Sequence, residues 1–531
     1  MSSTEHVRVN RRGFLAGSAA IAATRALGDA ARAQDDTAPR FSTRHAGWQA
    51  AYDRALRVLA ANVQVLPRFS KPVLIEGAAY QGLWLECGPH EALIYRKFRP
   101  DVARDSHRCF FALQRPDGQI PCNNKVTGAG FGQIQMAVPL AATAWDLAQA
   151  SADEAFLHEA YEACARWDDW LHRYRNLRGT GLTEGFCTYD TGQDNSPRWR
   201  GVAPQCPDGD AKRFVPGLKL PRLCPDLSAT TYGGRVALAQ MAHALGRKVE
   251  AGRWQQQSEA LRDLILKHLY VPEEAAFYDL DAAGEYVRIR CDILSRVCGE
   301  HVVDSAVFAQ LWRAQLHNPK AFWSALPLPS VALDDPLFVR PIPSNSWGGA
   351  AQALTALRTG RWFDHYGKSA AHAELMRRWC AALMADGKFT QQADPLDGHF
   401  TRGDPPGYSP AALVMVDFTW RLAGVCESGR QLHWNIRPGE PVSQGAQFSV
   451  RTDLGHRAQL RYDVHGAQLS VDGRWLGRLE GGAGRLVTGA AGELLAVVSI
   501  DERAQRLRLH RPGRPMREVD LQPDARIDLT A

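Results

Sequence analysis

The chain has 531 residues, 45% hydrophobic and 23% charged, enough for a large buried core and too long for one ordinary domain. That composition lies near the globular average and excludes a disordered, collagen-like or coiled-coil chain. The 63 Lys and Arg against 57 Asp and Glu leave +6, an excess that invites a nucleic-acid partner until its location is read.

Asn10-Arg11-Arg12-Gly13-Phe14-Leu15 opens a weakly apolar Ala/Gly stretch, and Ala31-Arg32-Ala33 offers small residues at a cleavage site. This is the layout of an export signal, and the paired arginines point to the twin-arginine route. The apolar stretch is too short to span a bilayer. Residues 1–33 therefore read as a twin-arginine signal peptide, and the mature protein as periplasmic or secreted. Arg8, Arg11, Arg12, Arg25 and Arg32 leave with it against only Glu5 and Asp29. Half of the charge excess goes too, and the near-neutral remainder argues against nucleic acid.

From 45 to 425 the chain reads as a series of helices, clearest at 45–66, 89–98, 101–113, 134–150, 153–174, 230–245 and 253–269. The series continues at 306–315, 346–357, 369–383 and 410–422, with a weaker candidate at 289–298. Apolar residues recur at helical spacing, as in Leu238, Met241, Ala242 and Leu245. Three long connections, 178–228, 326–346 and 389–409, are rich in Gly, Pro and Asp; loops of this length are usually functional. After 425 the pattern alternates with period two at 447–452, 457–463, 468–471, 474–479, 494–499 and 506–510. Asp472-Gly473 between two of these runs is a hairpin signal. The expected fold is mainly α: an (α/α)6 toroid over 34–429, then a small β-sandwich over 430–531.

Eleven cysteines are scattered without a CxxC or Cys/His metal spacing. Buried free thiols are expected, with Cys206 and Cys224 as one pair able to close a loop. His90, His107, His172, His243 and His365 do not cluster, so neither a metal nor a cofactor is expected. Asp334-Asp335 reads as a turn before Pro336 rather than a calcium site.

The densest chemistry lies in the longest loop, Tyr189-Asp190-Thr191-Gly192-Gln193-Asp194-Asn195-Ser196-Pro197-Arg198-Trp199. An Asx-turn ahead of Pro197 would account for part of it. Glycosidic cleavage would account for more, because it needs a protonated carboxyl at the leaving oxygen and a second acid to handle water. Trp199 and Arg198 would supply the flat face and the paired donors that a sugar needs.

The run from Asp194 to Trp199, with Gly192 and a preceding acid, resembles the general-acid loop of six-hairpin glycoside hydrolases. The similar groups are the mannosylglycerate hydrolase-like and processing α-glucosidase I enzymes, with trehalases more distant. Glu76-Gly77-Ala78-Ala79-Tyr80-Gln81-Gly82-Leu83-Trp84 resembles their early sugar-binding segment, and Gln114-Arg115-Pro116-Asp117-Gly118-Gln119-Ile120-Pro121 the next one. Ser346-Trp347-Gly348-Gly349 resembles their Trp-Arg-Gly loop. The resemblance implies inverting hydrolysis of an α-linked oligosaccharide or glycoside, with Asp194 as general acid. It also implies that Glu86 stands where the family carries Asp after Trp84, and Asp190 where it carries Glu. Trp84, Asn195, Arg198, Trp199 and Trp347 are expected at the sugar.

The family's base loop reads Glu-x-Tyr-x-Pro-x-Thr-Gly, and the matching stretch here is Gln391-Gln392-Ala393-Asp394-Pro395-Leu396-Asp397-Gly398. The expected base falls on Gln391, whose amide accepts no proton at neutral pH; Gln391 and Gln392 then count as sugar contacts. Three outcomes are open. Asp394, Asp397 or Asp404 on the same loop, or Glu86, takes over as base; the chemistry differs, as in a polysaccharide lyase with Tyr189 or Tyr408 as base; or the site binds carbohydrate without cleaving it. The oligomeric state is not legible.

Overall fold

The computed structural model describes residues 38–529, so the export signal read at 1–33 lies outside the described residues. Among the described residues twelve α-helices follow in order: α1 Ala46–Ala61, α2 Gly88–Tyr95, α3 Pro100–Ala112, α4 Leu140–Ser151, α5 Glu154–Tyr174 and α6 Pro225–Ala244. Then come α7 Lys248–His268, α8 Ile293–Gly299, α9 Ser305–Leu311, α10 Ala353–Arg358, α11 Ser369–Asp386 and α12 Ser409–Ala423. The even-numbered helices pack side by side from α2 to α8 and from α10 to α12, and α12 returns to pack on α2. The odd-numbered ones back them from outside, as α7 does for α6 and α1 does for α12.

Burial follows from that arrangement. In α12, Leu413, Val414, Met415, Val416 and Phe418 are all fully buried, the mark of a helix covered on every side. The outer α3 instead carries Val102, Ala103, Cys109 and Phe110 on one buried face. Helix starts are set by local chemistry. Asp153 accepts the Phe156 N–H at 3.0 Å, and Asp304 accepts those of Ala306 and Val307 at 3.0 and 2.9 Å. Pro225 at the first turn starts α6 five residues before its apolar periodicity does. The expected helix at 346–357 is mostly loop, and only Ala353–Arg358 is helical.

Helix makes up 38% and strand 22%, so the chain is mixed α/β and the mainly-α expectation is overturned. Part of the strand lies in the helix connections. Gly82–Trp84, Asn123–Lys125 and Gly128–Gly130 form one small sheet, and Glu184–Gly185, Arg222–Leu223, Asp279–Leu280 and Tyr286–Val287 another. Strands of two or three residues are too short to show a period.

The rest lies after α12 in two antiparallel sheets. The five-stranded one begins with Val425–Ser428 directly after the helix. The seven-stranded one takes its edge strand, Arg40–Ser42, from the other end of the chain, with Phe41 opposite Phe448. Asp472 and Gly473 join Gly466–Val471 to Arg474–Glu480 with φ of +50° and +76°; two positive φ values match the twist of a tight hairpin. All eleven cysteines are free, including Cys206 and Cys224, and ten are buried.

Candidate active site

The loop that bears Asp194 is built on buried ion pairs. Asp190 is fully buried and meets Arg175 at 2.5 and 3.1 Å. It also accepts the backbone N–H groups of Ile134 at 2.9 Å, Phe186 at 2.7 Å and Cys187 at 3.2 Å. Arg198 is equally buried between Asp226 at 2.7 Å and Asp279 at 2.5 Å, and donates to Gln193 Oε1 at 2.8 Å. The Trp199 ring lies between Arg198 and Arg222, 5.3 and 4.6 Å from its centre, and its Nε1 donates to Thr191. Gly192 has φ +64°, and a Cβ there would stand 1.4 Å from Glu86 Oε2. Glycine is required on both counts.

From this base Asp194 projects half-buried, beside an exposed Asn195 at φ +58°. The Asp194 carbonyl accepts the Trp347 N–H at 3.0 Å, and the Asn195 amide donates to the Asn345 carbonyl at 2.8 Å. Asn345, itself at φ +46°, donates its side-chain amide to Asp194 Oδ2 at 3.0 Å and accepts from Gln391 Nε2 at 3.0 Å. Tyr80 closes the row by donating to Gln391 Oε1 at 2.9 Å. Two 3.0 Å hydrogen bonds and one amide, ~2.2 Å from oxygen to nitrogen, separate Asp194 Oδ2 from Gln391 Nε2 by at most about 8 Å.

Carboxyls crowd this row. Burial lifts Asp194 to about 6, while the Asn345 hydrogen bond pulls it down. Burial also lifts Glu86 to about 7; Arg358 and Arg296 oppose the rise and Asp194 adds to it. Glu91 goes to about 8 by burial. Glu76 rises well above the carboxylate range, by burial and then by repulsion from Glu86 and Glu91, although Tyr408 donates to it at 2.7 Å. Such a set holds protons near neutral pH, as a general acid must. Glu76, Glu86 and Cys87 bring ligand atoms within 4.8 Å of one another, as do Cys187, Asp190 and Cys206, and Cys224, Asp226 and Asp279. In the last two groups the carboxylates are already held by Arg175 and Arg198.

Residues 80–420 match the mannosylglycerate hydrolase MGH1-like glycoside hydrolase domain. The chain belongs to that family. No curated protein matches it by sequence. Among solved structures it resembles the GH63 mannosylglycerate hydrolase from Thermus thermophilus, with TM-score 0.57 and 19% identity over 70% of this chain and 100% of that one. Neutral trehalase Nth1 from Saccharomyces cerevisiae gives 0.51 and 13%, over 68% and 79%. A GH78 rhamnosidase of Bacillus sp. GL1 gives 0.55 and 12%, over 80% and 40%. At these identities the likeness is one of fold: this glycoside hydrolase is a six-hairpin glycosidase. Among its described residues no helix is long and apolar enough to cross a membrane.

Within this family member the residues expected at the site fall into two groups. Asp194, Asn195, Glu86, Gln391 and Trp84 come together; Trp84 is half-buried with its ring edge-on to Tyr80 at 5.8 Å. The others hold walls. Arg198, Trp199 and Asp190 are buried, and every charged atom of Arg198 and Asp190 already has a partner. Trp347 is buried with the Arg296 guanidinium 5.3 Å over its ring. Gln392 accepts the Ser346 N–H at 2.9 Å and donates to the Pro343 carbonyl at 2.7 Å, which pins that loop. Asp394 lies 2.9 Å from Arg340 Nε. Tyr408 is fully buried, and burial raises its hydroxyl well above its usual range, which removes it as a base. Asn345 and the anchoring role of Tyr80 are absent from the sequence reading. Asn345 carries no motif of its own, and its positive φ emerges only in the fold.

Proposed function

We propose that the protein is an inverting glycoside hydrolase acting on an α-linked oligosaccharide or glycoside, with Asp194 as general acid. The observation that carries this reading is a half-buried carboxyl raised to about 6 within about 8 Å of the family's base position. An inverting pair of carboxyls stands roughly 6.5–9.5 Å apart, with room for a water, a spacing that the upper bound of about 8 Å admits. Trp84 and Tyr80 supply flat faces beside Glu86, a grouping suited to a pyranose ring.

An acid must be protonated to act, so turnover falls as pH rises through the Asp194 pKa. The test uses a panel of aryl α-glycosides and α-linked disaccharides. Asp194→Asn is expected to abolish turnover, and proton NMR to show β-sugar as the first product. A first product of α configuration, or an Asp194→Asn variant as fast as the parent, overturns the reading. We further propose that residues 1–33 direct export by the twin-arginine route. Export that survives replacement of Arg11 and Arg12 by Lys, or a chain retained whole in the cytoplasm, would refute that.

A further inference from the structure

We propose that Asp404 is the general base of this site, in the role that Gln391 cannot fill; the proposal rests on Asp194 serving as the acid.

The carboxyls available to take over differ in what holds them. Asp394 and Asp397 share Arg340, at 2.9 and 3.9 Å, and Asp394 also accepts the Leu396 N–H at 2.9 Å. Among the described residues no cation acts on Asp404: its neighbours are the Ser344 side chain and the Asn345 backbone N–H. Its Oδ2 is buried with no hydrogen-bond partner. A buried polar atom without a partner calls for a reason, and a water held for reaction is one.

The placement is the second argument. Asn345 donates its side chain to Asp194 and turns its backbone N–H to Asp404. Asp194 and Asp404 thus both neighbour Asn345. Tyr80, bonded to Gln391, lies within the electrostatic reach of both. Glu86 fails on this ground. It packs against Gly192, on the acid's own loop, whereas an inverting base must serve the opposite face of the ring. Burial raises Asp404 above the ordinary aspartate range, which makes it a stronger base while it is ionised.

The step balances. Asp404 takes a proton from water as the water oxygen forms a bond to the anomeric carbon. The glycosidic bond breaks with its electron pair moving to the leaving oxygen, which takes the Asp194 proton. Solvent then returns one proton to Asp194 and removes one from Asp404.

The test uses the full chain with α-glucosyl and α-mannosyl fluorides, whose leaving group needs no proton, beside the aryl glycosides. Asp404→Asn is expected to lose roughly 10²-fold or more on both substrate types. Asp194→Asn is expected to lose aryl glycosides and keep the fluorides. Azide should rescue Asp404→Ala with release of β-glycosyl azide, a product that a merely structural role would not yield. Wild-type fluoride hydrolysis by Asp404→Asn, or a Gln391→Glu variant at least tenfold faster than the parent, overturns the base assignment. The acid assignment then stands or falls separately on Asp194→Asn.

Discussion

The two walls of the cleft are held by opposite means. On the acid side, Asp190–Arg175 and Asp226–Arg198–Asp279 form ion pairs with fully buried side chains. On the other side, Asn345, Gln391 and Gln392 hold the loop with neutral amides, and Arg340 with Asp394 and Asp397 lies toward solvent. The buried pairs fix one geometry, because removing either partner strands a charge away from water. A hydrogen bond between neutral amides contributes only about 1 kcal/mol net, so this wall is held less firmly. The contrast suits an acid that must stay in place, opposite a wall that must admit a sugar and a water.

The contrast breaks most sharply at Arg198. Arg198→Met leaves Asp226 and Asp279 without their shared partner and is expected to cost about 3–5 kcal/mol. Urea unfolding would show it, and a loss below about 1 kcal/mol would make the acid wall no stiffer than the other. Next in size is the pH dependence of stability. Glu91 at about 8, Glu86 at about 7 and Asp194 at about 6 bind protons more tightly folded than unfolded. Stability should therefore decline as pH rises from the ordinary carboxylate range toward 8. Glu91→Gln should flatten that decline in a series of melting curves; an unchanged slope would remove Glu91 from the account.

On the amide wall, Asn345→Ala removes the hydrogen bond that lowers the Asp194 pKa. The alkaline limb of the rate profile should move to higher pH, with turnover at its plateau down about tenfold as Asp194 loses its positioning. A limb that stays in place would mean that Asn345 only braces the loop. The smallest effect is expected from Asp394→Asn, which cuts an ion pair to the half-exposed Arg340. That should cost under about 1 kcal/mol and leave turnover within threefold. A larger loss of rate would move Asp394 into the cleft.

Much of this was legible in the chain. Helices announce themselves by a 3.6-residue period over many positions, and six of the later strands by a two-residue one. Other strands were not: Gln431–Ile436 and Gly484–Gly489 lie within the five-stranded sheet, with Trp434, Ile436 and Leu486 fully buried. A strand covered on both faces loses the alternation that marks a half-exposed one. The motif around Asp194 located the loop proposed to carry the acid, but residue type could not tell a sugar contact from a brace. Arg198 and Trp199 have the chemistry to hold a sugar, and burial commits both to the wall.

The sequence by itself determined the family; the acid role proposed for Asp194, and the amide of Gln391 at the expected base position, rest on its motifs. Those rest on residue identity and on order along the chain. Only the tertiary structure decided which carboxyls share a cleft and which are neutralised by arginine. It also brought Arg40–Ser42 to the sheet edge beside Gln447–Arg451, some four hundred residues away. Hydrogen bonds and ion pairs act over a few ångströms of space, and the spacing of residues along the chain does not record that distance. Asn345, the link between Asp194 and Gln391, is therefore visible only once the loops are folded against each other.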